Sequence, residues 1–216
     1  MALDERGGIE GTRRGRAALV VALGAYGGVT VFSGLVAWAL GLHPFETTAW
    51  ISGAESMRVA SAIMSVGFGA VVGAGTLAAT RVLMRRAAWA RALHADLRPV
   101  VQGADDATIA VIALASGIGE EILFRGLLVP AVGVIASSLL FGVVHQVRGR
   151  ARWGWMAWAA LTGLLFALIF RLTGSLLGPI VAHVAINAVN LRRLRDAAPQ
   201  PPPQRRLGGL LGRART

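Results

Sequence analysis

AALVVALGAYGGVTVFSGLVAWALGL, residues 17–42, runs for 26 residues without a charged side chain. Roughly 20 helical residues cross a hydrocarbon core of about 30 Å, so this stretch reads as a membrane-spanning helix. It is longer than the roughly 7–15-residue apolar core of a secretory leader, although Arg13, Arg14 and Arg16 precede it, and the expectation is an uncleaved anchor. Residues 59–80 repeat the pattern over 22 positions. Four further apolar stretches follow at 107–129, 132–146, 153–170 and 173–191, the second of these being short. The expected fold is all-α, a polytopic membrane bundle of six transmembrane helices.

Composition supports this. Only 15% of the 216 residues are charged, against roughly 25% in soluble domains, and 55% are apolar. A soluble chain so poor in charge would not cover its own surface. There is no cysteine, which removes disulfide frameworks, Cys-ligated zinc and thiol proteases. All 22 basic residues are arginine, against 11 acids, and their placement explains the net charge of +11. Four precede the first stretch, five lie between Arg81 and Arg98, three are Arg148, Arg150 and Arg152, and seven follow from Arg192. With six spans, these 19 fall on one side and only Arg58 and Arg171 on the other, which by the positive-inside rule gives an N-in, C-in topology. No nucleic-acid partner is needed to account for the charge.

The chain then divides into a basic cytoplasmic segment (1–16), two N-terminal transmembrane helices with a basic loop (17–106), a membrane core (107–191) and a basic, Pro-rich tail (192–216) expected to be disordered. Trp153 and Trp155 suit one interfacial aromatic belt, and Trp38 and Trp50 the other. Gly24 with Gly28, and Gly69 with Gly73, are small-xxx-small pairs that let helices approach closely.

Charged and polar groups at membrane depth are costly and mark candidate sites. Glu120 and Glu121 are followed by Arg125. Glu121 and Arg125 stand four apart in the favourable order for an ion pair, while Glu120 points about 100° away around the axis. A structural salt-bridge cluster would use all three, but a purely structural pair leaves the second glutamate desolvated without reward. Phe141 and His145 share a helical face, as do His183 and Asn187. Each could serve as packing or interhelical glue. His43 and His94 fall in expected loops, whereas both membrane histidines have an i+4 partner downstream of the paired acids.

This ordered triple, Glu120-Glu121-xxx-Arg125, Phe141-xxx-His145 and His183-xxx-Asn187, resembles the motifs of the CPBP family, the CAAX-protease and bacteriocin-processing (Abi) proteins. The resemblance implies an intramembrane endopeptidase with the first glutamate as the essential acid. Better-known members carry more helices than six, which bears on the substrate groove rather than on the chemistry.

By residue chemistry, Glu120 can be the general base in low-dielectric surroundings, and His145 can orient the same water or relay its proton. His183 and the Asn187 amide can donate to a developing oxyanion. Glu121, Arg125 and Phe141 would support them. A metal-free mechanism is preferred because no HExxH is present, with zinc on Glu120, His145 and His183 as the alternative. Ser116 and Ser175 lack a GxSxG setting, which disfavours a serine peptidase. The expected partners are the lipid bilayer and a membrane-associated protein or peptide, processed at its C-terminus or leader. An all-arginine basic set suggests a GC-rich bacterial genome and hence the inner membrane. The reading from another class is a non-enzymatic immunity protein or small proton-coupled transporter, though the chain lacks the repeated halves transporters usually show.

Overall fold

The computed structural model describes residues 2–45, 49 and 58–197, with side chains described from Gly15 onward except that of Ala18. Among these the chain is helical, in the order α1 (Ala2–Ala39), α2 (Arg58–Arg86), α3 (Ala88–Val101), α4 (Asp106–Glu121), a π-helical segment (Ile122–Leu128), α5 (Val129–Val132), α6 (Val134–Val144), α7 (Arg152–Thr173) and α8 (Leu177–Asp196). Trp50 and residues 198–216 of the tail lie outside the described residues.

Four helices are long and apolar enough to cross a membrane: Gly15–Ala39, Arg58–Arg86, the continuous run Asp106–Val132, and Arg152–Thr173. The other two expected spans differ. The fourth stretch forms α6, whose 11 residues extend only about 16 Å and cannot traverse a core of about 30 Å. The sixth forms α8, long enough at 20 residues but interrupted by His183, Asn187 and Asn190. Both are shielded by neighbours, α6 by α7 and α8 by α2 and α4. The segment expected as a basic loop contains α3, an amphipathic helix that buries Ala90 and Leu93 and packs against α1, α2, α7 and α8. Its polar half masks the apolar periodicity from a search for long apolar runs.

Local chemistry sets the boundaries. The Asp105 carboxylate accepts from Thr108 N at 2.7 Å and caps α4, which holds that carboxyl below the usual aspartate range. Gly133, at φ 86°, separates α5 from α6, and Gly174, at φ 74°, ends α7. These left-handed positions allow the reversals that return the chain into the bundle.

The tightest packing lies between α2 and α8. A Cβ on Gly178 would strike the backbone of Ser65, and one on Gly69 would strike Gly178. Ser65 Oγ accepts from Gly178 N at 2.9 Å and donates to Ser175 O at 2.9 Å, while Ser61 Oγ donates to Thr173 O. Gly73 approaches Ala182 in the same seam. Gly69 and Gly73 are therefore a helix-packing pair. Gly24 and Gly28 are not, because a Cβ at either would meet nothing within 4 Å among the described residues.

Candidate active site

The continuous run through α4 changes from α- to π-helix immediately after Glu121. Such widened turns recur at functional sites because they re-aim side chains without breaking the helix. Val129 N donates to Phe124 O across five residues, and Ser137 Oγ donates to the same carbonyl at 2.8 Å. Within the segment, Arg125 turns inward and is 1% exposed.

Arg125 is the electrostatic anchor. Its Nη1 donates to Glu121 Oε1 at 2.9 Å and its Nη2 to the Gly163 carbonyl at 3.0 Å. The guanidinium lies 4.4 Å from the Phe141 ring centroid and 5.3 Å from that of Phe166. Gly163 permits this approach, since its Cβ position is bordered by Arg125 Nη2 and the Phe141 ring. A buried cation is thus held by one carboxylate, one carbonyl and aromatic faces.

Glu121 also does something the sequence did not indicate. Its Oε1 lies 2.7 Å from His183 Nδ1, so it accepts from that ring as well as from Arg125. His145 Nδ1 lies 2.8 Å from Phe141 O, which can only accept, so that nitrogen carries a proton. Both rings therefore turn Nε2 the other way, toward Glu120. Glu120 Oε2 is 3.5 Å from His145 Nε2 and 3.8 Å from His183 Nε2, and it is buried without a hydrogen-bond partner. With neutral rings, two nitrogen lone pairs and a carboxylate oxygen face one space, an arrangement that attracts a proton-donating molecule or a cation.

Asn187 lies one turn beyond His183 and donates from Nδ2 to Ser116 Oγ at 2.9 Å. Ser116 Oγ in turn donates to Ala113 O at 3.3 Å. This serine holds the carboxamide in place, a role distinct from nucleophilic attack. Phe141 packs beside both imidazoles, with centroids 4.3 Å from His145 and 5.9 Å from His183. Glu120, Phe141, His145, His183 and Asn187 line one cavity of about 780 Å³.

Other residues on this cavity were not singled out by motif spacing. Trp155 packs edge-on against His145 at 5.7 Å, so of the two tryptophans expected at the interface it points inward, while Trp153 is 70% exposed. Tyr26, on α1, lines the cavity with its hydroxyl in range of the Glu120 carboxylate. His94 stands on α3 rather than in a loop, near the Arg193 backbone, and is held below the ordinary histidine range chiefly by burial. A lone Tyr, Trp or His within an apolar or basic helix carries no spacing signal that would have marked it.

Residues 106–189 match the family model described as type II CAAX prenyl endopeptidase Rce1-like. This segment is similar to the CAAX-protease family. The matched region begins at the start of α4 and ends near the end of α8, and it contains the glutamate pair, both histidines and Asn187. An 87-residue portion is 32% identical to the uncharacterized protein YpbD of Bacillus subtilis (strain 168), covering 40% of this chain and 46% of that protein. The chain thus spans less than half the length of that curated relative. No solved structure matches it. The matched segment supplies most of the site, whereas α1, α2 and α3, outside the match, contribute Tyr26 and further wall residues.

Proposed function

We propose that the chain is an intramembrane endopeptidase that hydrolyses a peptide bond of a membrane-associated protein or peptide with water activated by Glu120. The observation that carries this reading is the unpartnered Glu120 Oε2 between two inward-facing Nε2 atoms in one cavity. A water held there donates to Glu120 and His145. Glu120 takes its proton as the oxygen attacks the scissile carbonyl. The developing oxyanion accepts from the Asn187 amide and from His183 Nε2 when that ring carries its second proton. Glu121 keeps the ring oriented through Nδ1. The proton on Glu120 then passes to the leaving amine, so the site returns to its starting state.

Zinc is the second reading, because two imidazoles anchored through Nδ1 beside a carboxylate form the right kind of donor set. Glu120, His145 and His183 would hold the ion, which would supply a more acidic water. Among the described residues no three His, Asp or Glu side chains form a ready-made metal cluster, and the metal-free route is the one proposed. Activity surviving a tight chelator supports it, and activity lost on chelation and restored by zinc overturns it.

The placement of the arginines supports an N-in, C-in topology and the all-arginine basic set a bacterial inner membrane, with a leader or C-terminal segment of a membrane-associated protein as substrate. The experiment is terminus mapping of membrane proteins in cells carrying the wild-type chain or Glu120→Gln. A terminus that changes with the wild type should be lost with the variant, by about 10²–10⁴-fold in rate, while the variant inserts normally. A biological effect indifferent to Glu120→Gln would instead favour a non-enzymatic membrane binder.

A further inference from the structure

The chain holds one tyrosine, and it stands where a membrane helix has least use for one. Tyr26 lies near the middle of the apolar run Gly15–Ala39, eleven residues from one end and thirteen from the other, about 16–20 Å from either along the axis. Tyrosines of membrane helices gather at the interfaces, where water satisfies the hydroxyl, and one at mid-depth needs a partner within the protein. Its neighbours on α1, Val20, Val21, Leu23, Val31, Phe32 and Leu35, are exposed apolar groups that suit lipid, whereas Tyr26 lines the cavity. The contact that brings it there is at Gly119, the residue before Glu120. A Cβ on Gly119 would stand 3.0 Å from Tyr26 O, 3.4 Å from Tyr26 Cβ and 3.0 Å from Thr30 Oγ, so the bare glycine lets α1 lie against α4 at this level. Thr30 Oγ donates to Tyr26 O at 2.8 Å and is spent on its own helix. The Tyr26 hydroxyl instead lies in range of the Glu120 carboxylate.

Resting on the endopeptidase reading, we propose that Tyr26 is a positioning residue that donates its O–H to Glu120 Oε1 and so holds Oε2 between the two imidazoles. An ionised carboxylate can only accept, so the phenol is the donor. Oε2 is buried without a hydrogen-bond partner, which leaves Oε1 as the oxygen for the hydroxyl. One oxygen is then tethered from α1 while the other faces His145 Nε2 at 3.5 Å and His183 Nε2 at 3.8 Å. Contacts of that length hold a carboxylate weakly, and the terminal torsion of glutamate is broad, so the two rings alone do not fix its plane. A hydrogen bond from a second helix does. The tyrosine keeps its proton throughout, and Glu120 remains the group that takes and returns one. Because α1 lies outside the matched residues 106–189, that segment by itself does not complete the site.

The test uses the full chain in phospholipid nanodiscs. With a single tyrosine, ring-deuterated tyrosine gives an ultraviolet resonance Raman difference spectrum of Tyr26 alone, and its C–O stretching band reads whether the phenol donates. The wild type should show a donating phenol, Glu120→Ala should lose that signature, and Asn187→Ala, which alters the cavity but not the bond, should keep it. A wild-type phenol that does not donate, or a band unmoved by Glu120→Ala, would overturn the proposal. Tyr26→Phe then removes the hydroxyl and keeps the ring. On those members of a lipid-anchored, internally quenched peptide library that the wild type cleaves, kcat should fall about 10–100-fold, with KM and the thermal midpoint unchanged. A kcat equal to that of the wild type removes the positioning role and leaves the endopeptidase reading intact. A fall in kcat matched by a raised KM and a lower thermal midpoint would make Tyr26 a packing residue and overturn the role as well. Conversely, a Glu120-sensitive band with no Glu120-dependent cleavage of any library member removes the endopeptidase reading and leaves only the Tyr26–Glu120 bond.

Discussion

Glu121 organises two partners through one oxygen. It accepts from Arg125 and from His183, and through them it fixes both a cation among aromatic faces and the ring that faces Glu120. Removing one member of such a buried set leaves the rest desolvated and unpaired. Arg125→Ala should cost about 3–5 kcal/mol of stability, read as a lower thermal midpoint in detergent. Arg125→Lys should recover only part of this, because a single ammonium does not reproduce the planar fork that reaches Glu121 and Gly163 together. Asn187 and Ser116 make a contrasting case. If Ser116 only positions the carboxamide, Ser116→Ala should lower kcat by less than Asn187→Ala, and the double variant should lose no more than Asn187→Ala alone. Additive losses would show the serine acting independently. The Glu121–Arg125 pair was legible from four-residue spacing, since the first turn of the altered segment still brings the two side chains together. The Glu121–His183 bond, across 62 positions, had no local signature.

At the scale of elements, identical sequence patterns have opposite fates. Gly69 and Gly73 meet α8, whereas Gly24 and Gly28 meet nothing among the described residues, and spacing alone does not separate them. Gly178→Ala should destabilise the bundle by about 1–3 kcal/mol, because its Cβ would strike the Ser65 backbone and hydroxyl. Gly28→Ala should be neutral or stabilising by up to about 1 kcal/mol through helix propensity. Thermal unfolding of the two variants side by side checks both, and equal effects would mean the α2–α8 seam is not a tight contact. The π-helical segment and the short α6 escaped the sequence for a related reason. A single inserted residue in a helix, or a span that stops halfway, leaves the run of apolar side chains unbroken, and only the neighbours that satisfy Phe124 O or cover α6 distinguish them.

Across the whole molecule, α3 lines the cavity through Trp89, Leu93 and His94 and packs against α8, with His94 near the Arg193 backbone. Burial holds His94 below its ordinary value of 6.5, so the docked form favours the neutral ring. Docking is then strongest above about pH 6.5 and weakens as pH falls below it, since the undocked helix takes up the proton more readily. Hydrogen exchange of α3, expressed as wild type relative to His94→Gln at each pH, should show protection falling from pH 7 toward pH 5. A ratio flat across that range would mean that His94 does not report docking. What the sequence by itself determined was the apolar, all-helical class, the division of the arginines and the ordered polar triple, because length, hydropathy and four-residue spacing act within one segment. What only the tertiary structure decided was where the apolar stretches break into helices, which glycines touch, and that Glu120 meets both imidazoles beside Asn187, Tyr26 and Trp155. Those relations join residues from separate helices, and their energies depend on packing and desolvation that exist only once the bundle has formed.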